Sequence, residues 1–157
     1  MLKLLKLFRW VRKPVSLRVM DLCKISEQVV HVPLYSSMVQ AGTATWADEH
    51  IDTYFALDAS LVKRANGVFC VKVSGDSMIN AGISPGDILI VDSLERNVEN
   101  RIVIAAIDDG TTVKRLVRHK GKTYLVPANP NYQSLEITPE MNFRVLGVVT
   151  HIIRESV

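Results

Sequence analysis

Ser77 closes the stretch Ser74-Gly75-Asp76-Ser77-Met78, directly after a run of apolar and β-branched residues. A serine projecting from a turn can present its hydroxyl beside backbone N–H groups, which is what a tetrahedral intermediate of acyl transfer needs. Gly75 permits tight backbone geometry just before it. Alone, the motif describes an ordinary turn equally well. A serine becomes a nucleophile only beside a base. The four histidines, His31, His50, His119 and His151, sit in no recognisable triad context. Lys114 is different, because it lies inside the apolar segment Thr112-Val113-Lys114-Arg115-Leu116. Strand alternation puts Lys114 on the side of Thr112 and Leu116, and Val113, Arg115 and Val117 on the other. A lysine with its ordinary pKa of about 10.4 is neutral in well under about 0.1 % of molecules at pH 7. Apolar burial can lower that pKa by about 3 units, a cost to the charged form of about 4 kcal/mol, and so create a base. A serine with a neutral lysine is a known variant of the triad logic. The competing reading is a two-faced edge strand whose Lys114 and Arg115 both reach solvent on their long stems.

Two other patterns lead nowhere. Ser60-Leu61-Val62-Lys63 has the S-x-x-K spacing of β-lactamase relatives, but neither Ser-Asp-Asn nor Lys-Thr-Gly accompanies it. Gly121-Lys122-Thr123 imitates the end of a P-loop, but position 116 is leucine where that loop needs glycine.

The elements that must position Ser77 and Lys114 read as strands. Residues 68–73, 88–91, 101–107, 111–117, 122–126 and 143–149 are each rich in β-branched residues. Turn signals separate them at Ser84-Pro85-Gly86-Asp87, Asp108-Asp109-Gly110 and His119-Lys120-Gly121-Lys122. Asp109-Gly110 between two strands predicts a hairpin. The expectation is a mainly-β, compact domain of antiparallel strands. Residues 25–66 are mixed; Pro33, Gly42 and the small residues Ala41, Thr43, Ala44 and Thr45 predict an extended, accessible arm and no core element. Residues 1–13 have helical spacing, with Leu4, Leu7, Phe8 and Val11 on one face, and Pro14 ends the pattern. This could be a membrane-surface or partner helix, or a dispensable leader ahead of Met20.

Composition bounds the partners. The chain has 157 residues and a net charge of +3. Its first 24 residues carry seven cations against Asp21 alone, so +6 sits there and −3 on the remainder. The body therefore offers no polyanion-binding composition, and direct nucleic-acid binding is not the expectation. Cys23 and Cys70 have no CxxC spacing and no clustered histidines, which speaks against a zinc site. Free thiols suit a reducing cytosol, and the chain reads as cytoplasmic. No uninterrupted apolar run approaches the roughly 18 residues of a spanning helix.

Three stretches together resemble the LexA/UmuD family, with UmuD as the nearest branch. They are Val73-Ser74-Gly75-Asp76-Ser77-Met78, then Gly82 to Asp92, then Thr112-Val113-Lys114-Arg115-Leu116. The resemblance runs from about Val30 to Ile153. Ser77 precedes Lys114 by 37 residues and follows Gly42 by 35, which are the family's spacings. The resemblance implies that Ser77 is the nucleophile, Lys114 its base and Ala41-Gly42 the scissile dipeptide. It implies an arm, residues 1–41, removed by self-cleavage, with 1–17 an extra basic leader outside the family's extent. Residues 42–157 would be the Ser–Lys peptidase-like β domain. A RecA filament on single-stranded DNA would stimulate cutting, and the product would join a UmuC-like translesion DNA polymerase. A homodimer formed through the C-terminal strands is implied, with no cofactor or metal. The alternative is a LexA-like or phage-repressor-like transcriptional regulator that binds DNA through residues 1–40. The basic tail favours it, while the absence of a two-helix motif there stands against it. A signal peptidase with the same dyad would need a membrane anchor that the sequence does not display, and a general protease does not explain a chain that carries its own cleavage site.

Overall fold

The computed structural model describes residues 28–35, 51–62, 64, 66–108 and 110–155. The Ala41-Gly42 dipeptide, the 1–17 segment, Cys23 and His50 lie outside the described residues. Nine strands follow one another along the chain. They are β1 (Val29–Tyr35), β2 (Thr53–Asp58), β3 (Val68–Lys72), β4 (Ile88–Asp92), β5 (Ile102–Ile107), β6 (Gly110–His119), β7 (Lys122–Val126), β8 (Leu135–Ile137) and β9 (Phe143–Ile153). The expected mainly-β architecture is what the chain forms, and its six expected strands are β3–β7 and β9. They form one sheet in the order β2-β1-β3-β4-β9-β5-β6-β7-β8. Every pairing is antiparallel except that of β1 with β3.

Residues 29–35 and 53–58 correct the expectation of an accessible arm. They are extended, but as paired strands in register from Val29 opposite Asp58 to Leu34 opposite Thr53. Val32 and Leu57 are buried with Val68, Cys70 and Ile90. Pro33 hid β1 in the sequence, because proline cannot donate to a ladder. The ladder to β3 involves only Leu34 and Tyr35, so Pro33 stands outside it. β8 also escaped notice, being three residues long.

β9 is the strand on which the sheet turns. Its first half, Phe143 to Val148, pairs with β5, and its second half, Val148 to Ile153, pairs with β4. A register shift accompanies each pairing, and such bulges bend a strand and increase its local twist. Gly147 stands at the crossing, where a Cβ would lie 2.6 Å from Val91 Cγ1 and 2.9 Å from the Asp92 carbonyl oxygen. Only glycine lets the two backbones come so near. Both faces of the central strands are covered: Leu89, Val91, Ile104 and Ala106 pack in one cluster with Met78 and Ile83, while Val103 and Ala105 pack in another with Leu116 and Leu125. Two-sided burial is why these segments read as unbroken apolar runs.

The turn Ser84–Asp87 has Gly86 at φ 91°, the left-handed value a type II turn requires after proline. It is tied to the end of β9. The carboxylate of Asp87, 2 % exposed, accepts from Arg154 Nε at 2.7 Å and Nη2 at 2.6 Å, and from the Ser84 amide at 2.7 Å. The Arg154 hydrogen bond, more than any other contact, holds the Asp87 carboxyl below its usual pKa. A depressed carboxylate pKa gives stability that is present above the unfolded value of about 3.9 and is lost as pH falls through the folded one. Asp87→Asn is therefore expected to lose about 1–3 kcal/mol at pH 7 and less at pH 3. Urea unfolding at both pH values measures this, and equal losses would detach Asp87 from the pH dependence.

Candidate active site

Ser77 and Lys114 come from different parts of the sheet. Ser77 lies in the loop that leaves β3, immediately before the buried side chain of Met78 and the 3₁₀ turn Ile79–Ala81. Lys114 lies in the middle of β6, opposite Val103 of β5. Strand alternation sorts the adjacent cations. Lys114 turns inward on the Thr112 side, whereas Arg115 turns away and donates from Nη1 to the Asn100 carbonyl at 2.7 Å. The two-faced strand with both charges in solvent is thereby excluded.

Lys114 Nζ lies 2.7 Å from Ser77 Oγ, 2.8 Å from Thr112 Oγ1 and 2.9 Å from the Val113 carbonyl oxygen. Among the described residues no carboxylate bonds to it. Burial lowers its pKa from the ordinary lysine value, because desolvation penalises the charged form. An ammonium could donate to all three acceptors, and a neutral amine can serve the same three contacts. Two N–H groups can donate to Thr112 Oγ1 and Val113 O, which leaves the lone pair to accept the Ser77 hydroxyl proton. A serine hydroxyl aimed at an amine lone pair is an activated nucleophile.

A groove of about 580 Å³ reaches Ser77 and is lined by Ser74, Gly75, Thr111, Thr112 and Val113 as well. Val71, Met78, Ile83 and Ile104 also line it. Gly75 does not act as the sequence suggests. A Cβ there would meet open space, and its φ is not left-handed.

The other candidates fall away on geometry. Cys70 is fully buried, and burial pushes its thiol up to about 11, which disqualifies it as a nucleophile. No described histidine hydrogen-bonds Ser77, and the ring of His151 contacts Thr150. Ser60 sits in the 3₁₀ turn Ala59–Leu61 and is exposed. Lys122 belongs to the β6–β7 hairpin and pairs with Glu136 at 2.7 Å.

Sequence reasoning passed over two contributors. Thr112 was placed on the lysine's face but given no role, and it is a direct partner of Nζ. The loop Ala128–Tyr132 went unremarked because Asn129-Pro130 is an ordinary turn signal. It is bonded to the Ser77 loop: the Ala128 amide donates to the Ser77 carbonyl at 2.9 Å, Asn129 Nδ2 donates to the Asp76 carbonyl at 3.1 Å, and the Tyr132 hydroxyl donates to the Asp76 carboxylate.

A β domain that seats a serine against a half-buried lysine, with no counter-ion among the described residues, has the layout of a serine–lysine hydrolase. The sequence profile described as Peptidase S24-like matches residues 33–150, and the chain belongs to that family, within the LexA/UmuD superfamily. The LexA repressor of Clostridium perfringens is 32 % identical over 148 residues, which cover 94 % of this chain and 71 % of the repressor. LexA repressor 1 of Geobacter sulfurreducens is 40 % identical over 121 residues, or 76 % of this chain and 59 % of its own length. The LexA repressor of Paracidovorax citrulli is 36 % identical over 118 residues, covering 75 % and 52 %. These relatives carry the name LexA repressor, which moves the resemblance away from the UmuD branch. The Clostridium match leaves about nine residues of the chain uncovered, so it enters the 1–17 segment expected to lie outside the family.

Two substitutions report on the pair. If neutral Lys114 is the base, self-cleavage without any activator should rise about tenfold per pH unit below the lysine pKa and then level. A lowered pKa brings that plateau in below the ordinary lysine value of about 10.4. Lys114→Ala should be flat and near zero, and Ser77→Ala inactive at every pH. Intact-mass time courses from pH 7 to 10 measure all three; a Lys114→Ala protein with the wild-type profile would exclude the base.

Proposed function

We propose that this chain is a self-cleaving transcriptional regulator of LexA type, which cuts its own Ala41-Gly42 bond with Ser77 as nucleophile and Lys114 as general base. The observation that carries this reading is the 2.7 Å contact between Lys114 Nζ and Ser77 Oγ, with no carboxylate among the described residues bonded to the lysine.

The chemistry follows from the groups present. Lys114 takes the Ser77 hydroxyl proton, and Oγ attacks the Ala41 carbonyl carbon. Among the backbone hydrogen bonds of the described residues, none uses the amides of Ser77 or Met78 as donor. Both are therefore available to the oxyanion, and one such donor is worth about 10²–10³ in rate. The Lys114 ammonium then returns the proton to the departing amine of Gly42. Water, deprotonated by the same lysine, releases Ala41 from the ester.

The parallel pairing of β1 with β3 supports delivery of the bond by the same chain. Tyr35 stands opposite Val71, and both strands run toward the site. Ser77 is six residues past Val71, and Ala41 is six residues past Tyr35. An extended path of that length spans about 20 Å, so one chain can reach its own serine. Such tethering contributes an effective molarity of up to about 10⁵ M or more in well-oriented cases. The family resemblance supplies the trigger: a RecA filament on single-stranded DNA would favour the docked state of the cleavage segment, a population shift that adds no catalytic group.

The polymerase-subunit reading of the product is set aside in favour of transcriptional regulation, because the relatives described above are repressors. The +6 charge on residues 1–24 fits contact with DNA phosphates. This replaces the expectation that the chain does not bind DNA directly.

After incubation with RecA, ATP and single-stranded DNA, the processed chain should begin at Gly42, as N-terminal sequencing will show; another first residue would misplace the site. Intact Ser77→Ala protein should shift duplex DNA in a gel, more weakly as salt is raised, while fragment 42–157 should not. Equal binding by both would remove residues 1–41 from DNA recognition.

A further inference from the structure

Two peptide planes flank the nucleophile. The Asp76–Ser77 peptide carries the Asp76 carbonyl on one side and the Ser77 N–H on the other. The Ser77–Met78 peptide carries the Ser77 carbonyl and the Met78 N–H. A trans peptide is planar, with C=O and N–H pointing in opposite directions. Anchoring each carbonyl therefore aims the N–H of the same plane. Both carbonyls are anchored by one loop, which lies between β7 and β8. Asn129 Nδ2 donates to the Asp76 carbonyl at 3.1 Å, an oxygen that also accepts the Ile79 amide at 3.1 Å. The Ala128 amide donates to the Ser77 carbonyl at 2.9 Å, and the Ala128 carbonyl in turn accepts the Asn80 amide at 2.8 Å.

The orientation of the Asn129 amide follows from its other end. Its Oδ1 accepts the Asn131 amide at 3.0 Å, which leaves Nδ2 facing Asp76. The side chain is held in place by burial, since Asn129 is 7 % exposed. Tyr132, in contrast, is exposed and reaches only the Asp76 carboxylate.

We propose that Asn129 is a positioning residue for the reaction of Ser77: by fixing the Asp76 carbonyl it aims the Ser77 N–H at the oxyanion that forms on the attacked carbonyl. This rests on the reading of Ser77 as nucleophile. Asn129 touches neither Ser77 Oγ nor Lys114, so it acts on the plateau of the pH–rate profile and leaves the lysine titration alone.

The test compares Asn129→Ala, Asn129→Asp and Tyr132→Phe with wild type in activator-free self-cleavage from pH 7 to 10. Loss of one well-aimed donor lowers rate by up to about 10²–10³, so a fall of about tenfold or more in the plateau is expected for both Asn129 variants, with an unchanged midpoint. Tyr132→Phe, which leaves the carbonyl anchor intact, should stay within about threefold. Thermal unfolding checks the fold, and Asn129→Ser, whose short hydroxyl serves the Asn131 amide without reaching Asp76, replaces any variant that fails to fold. Folded variants that keep the plateau within twofold would overturn the proposal, as would a plateau loss that follows a shifted midpoint, because the defect would then be at Lys114. Wild type that does not cleave, or Ser77→Ala that does, would instead sink the nucleophile assignment on which the proposal rests.

Discussion

The site depends on a half-buried lysine with no anion bonded to it among the described residues. A desolvated ammonium is costly, and the inexpensive remedies are a carboxylate partner or loss of the proton. Around Lys114 the structure supplies two oxygen acceptors and a serine hydroxyl, and no carboxylate among the described residues. The environment therefore shifts the balance toward the free amine. A carboxylate at Thr112 would have reversed it, because a paired lysine holds its proton. Threonine there satisfies an N–H of the amine without adding charge.

Holding that lysine against Ser77 requires the sheet to bend. Ser77 follows β3 and Lys114 is in β6, which stand four strands apart in the sheet. β9 joins the two halves by pairing first with β5 and then with β4, around Val148. Its bulges and the bare backbone of Gly147 let the halves approach. The Asp87–Arg154 pair locks the turn beyond Ser77 to the chain beyond β9. The loop Ala128–Tyr132 closes the other side. Ser77 thus sits on a loop, but a loop stapled at several points, which would limit the reorganisation needed if it attacks a carbonyl.

The arrangement also bears on control. Lys114 Nζ lies 2.7 Å from Ser77 Oγ, so under the proposed reading the step open to regulation is delivery of the scissile bond. The parallel β1–β3 pairing involves only two residue pairs before β1 ends. A partner that favours such delivery would regulate the rate without contributing a catalytic group.

By itself the sequence singled out Ser77 and Lys114 as a candidate pair and marked most of the strands. Lys114 stood out because a charge inside an apolar, β-branched run must either escape or be used, and alternation named Thr112 as its neighbour on the same face. β3, β4 and β5 were legible because two-sided burial writes itself as continuous apolar residues, and β6, β7 and β9 because of their β-branched residues and the turn signals around them. β1 was masked by Pro33 and β2 by its mixed composition, since partners rather than propensity make them strands. Which of Lys114 and Arg115 faces inward, and that Asn129 reaches Asp76 from 53 residues away, were settled only in three dimensions. Both depend on contacts between segments distant in sequence, and local spacing carries no record of which distant backbone will come to lie beside it.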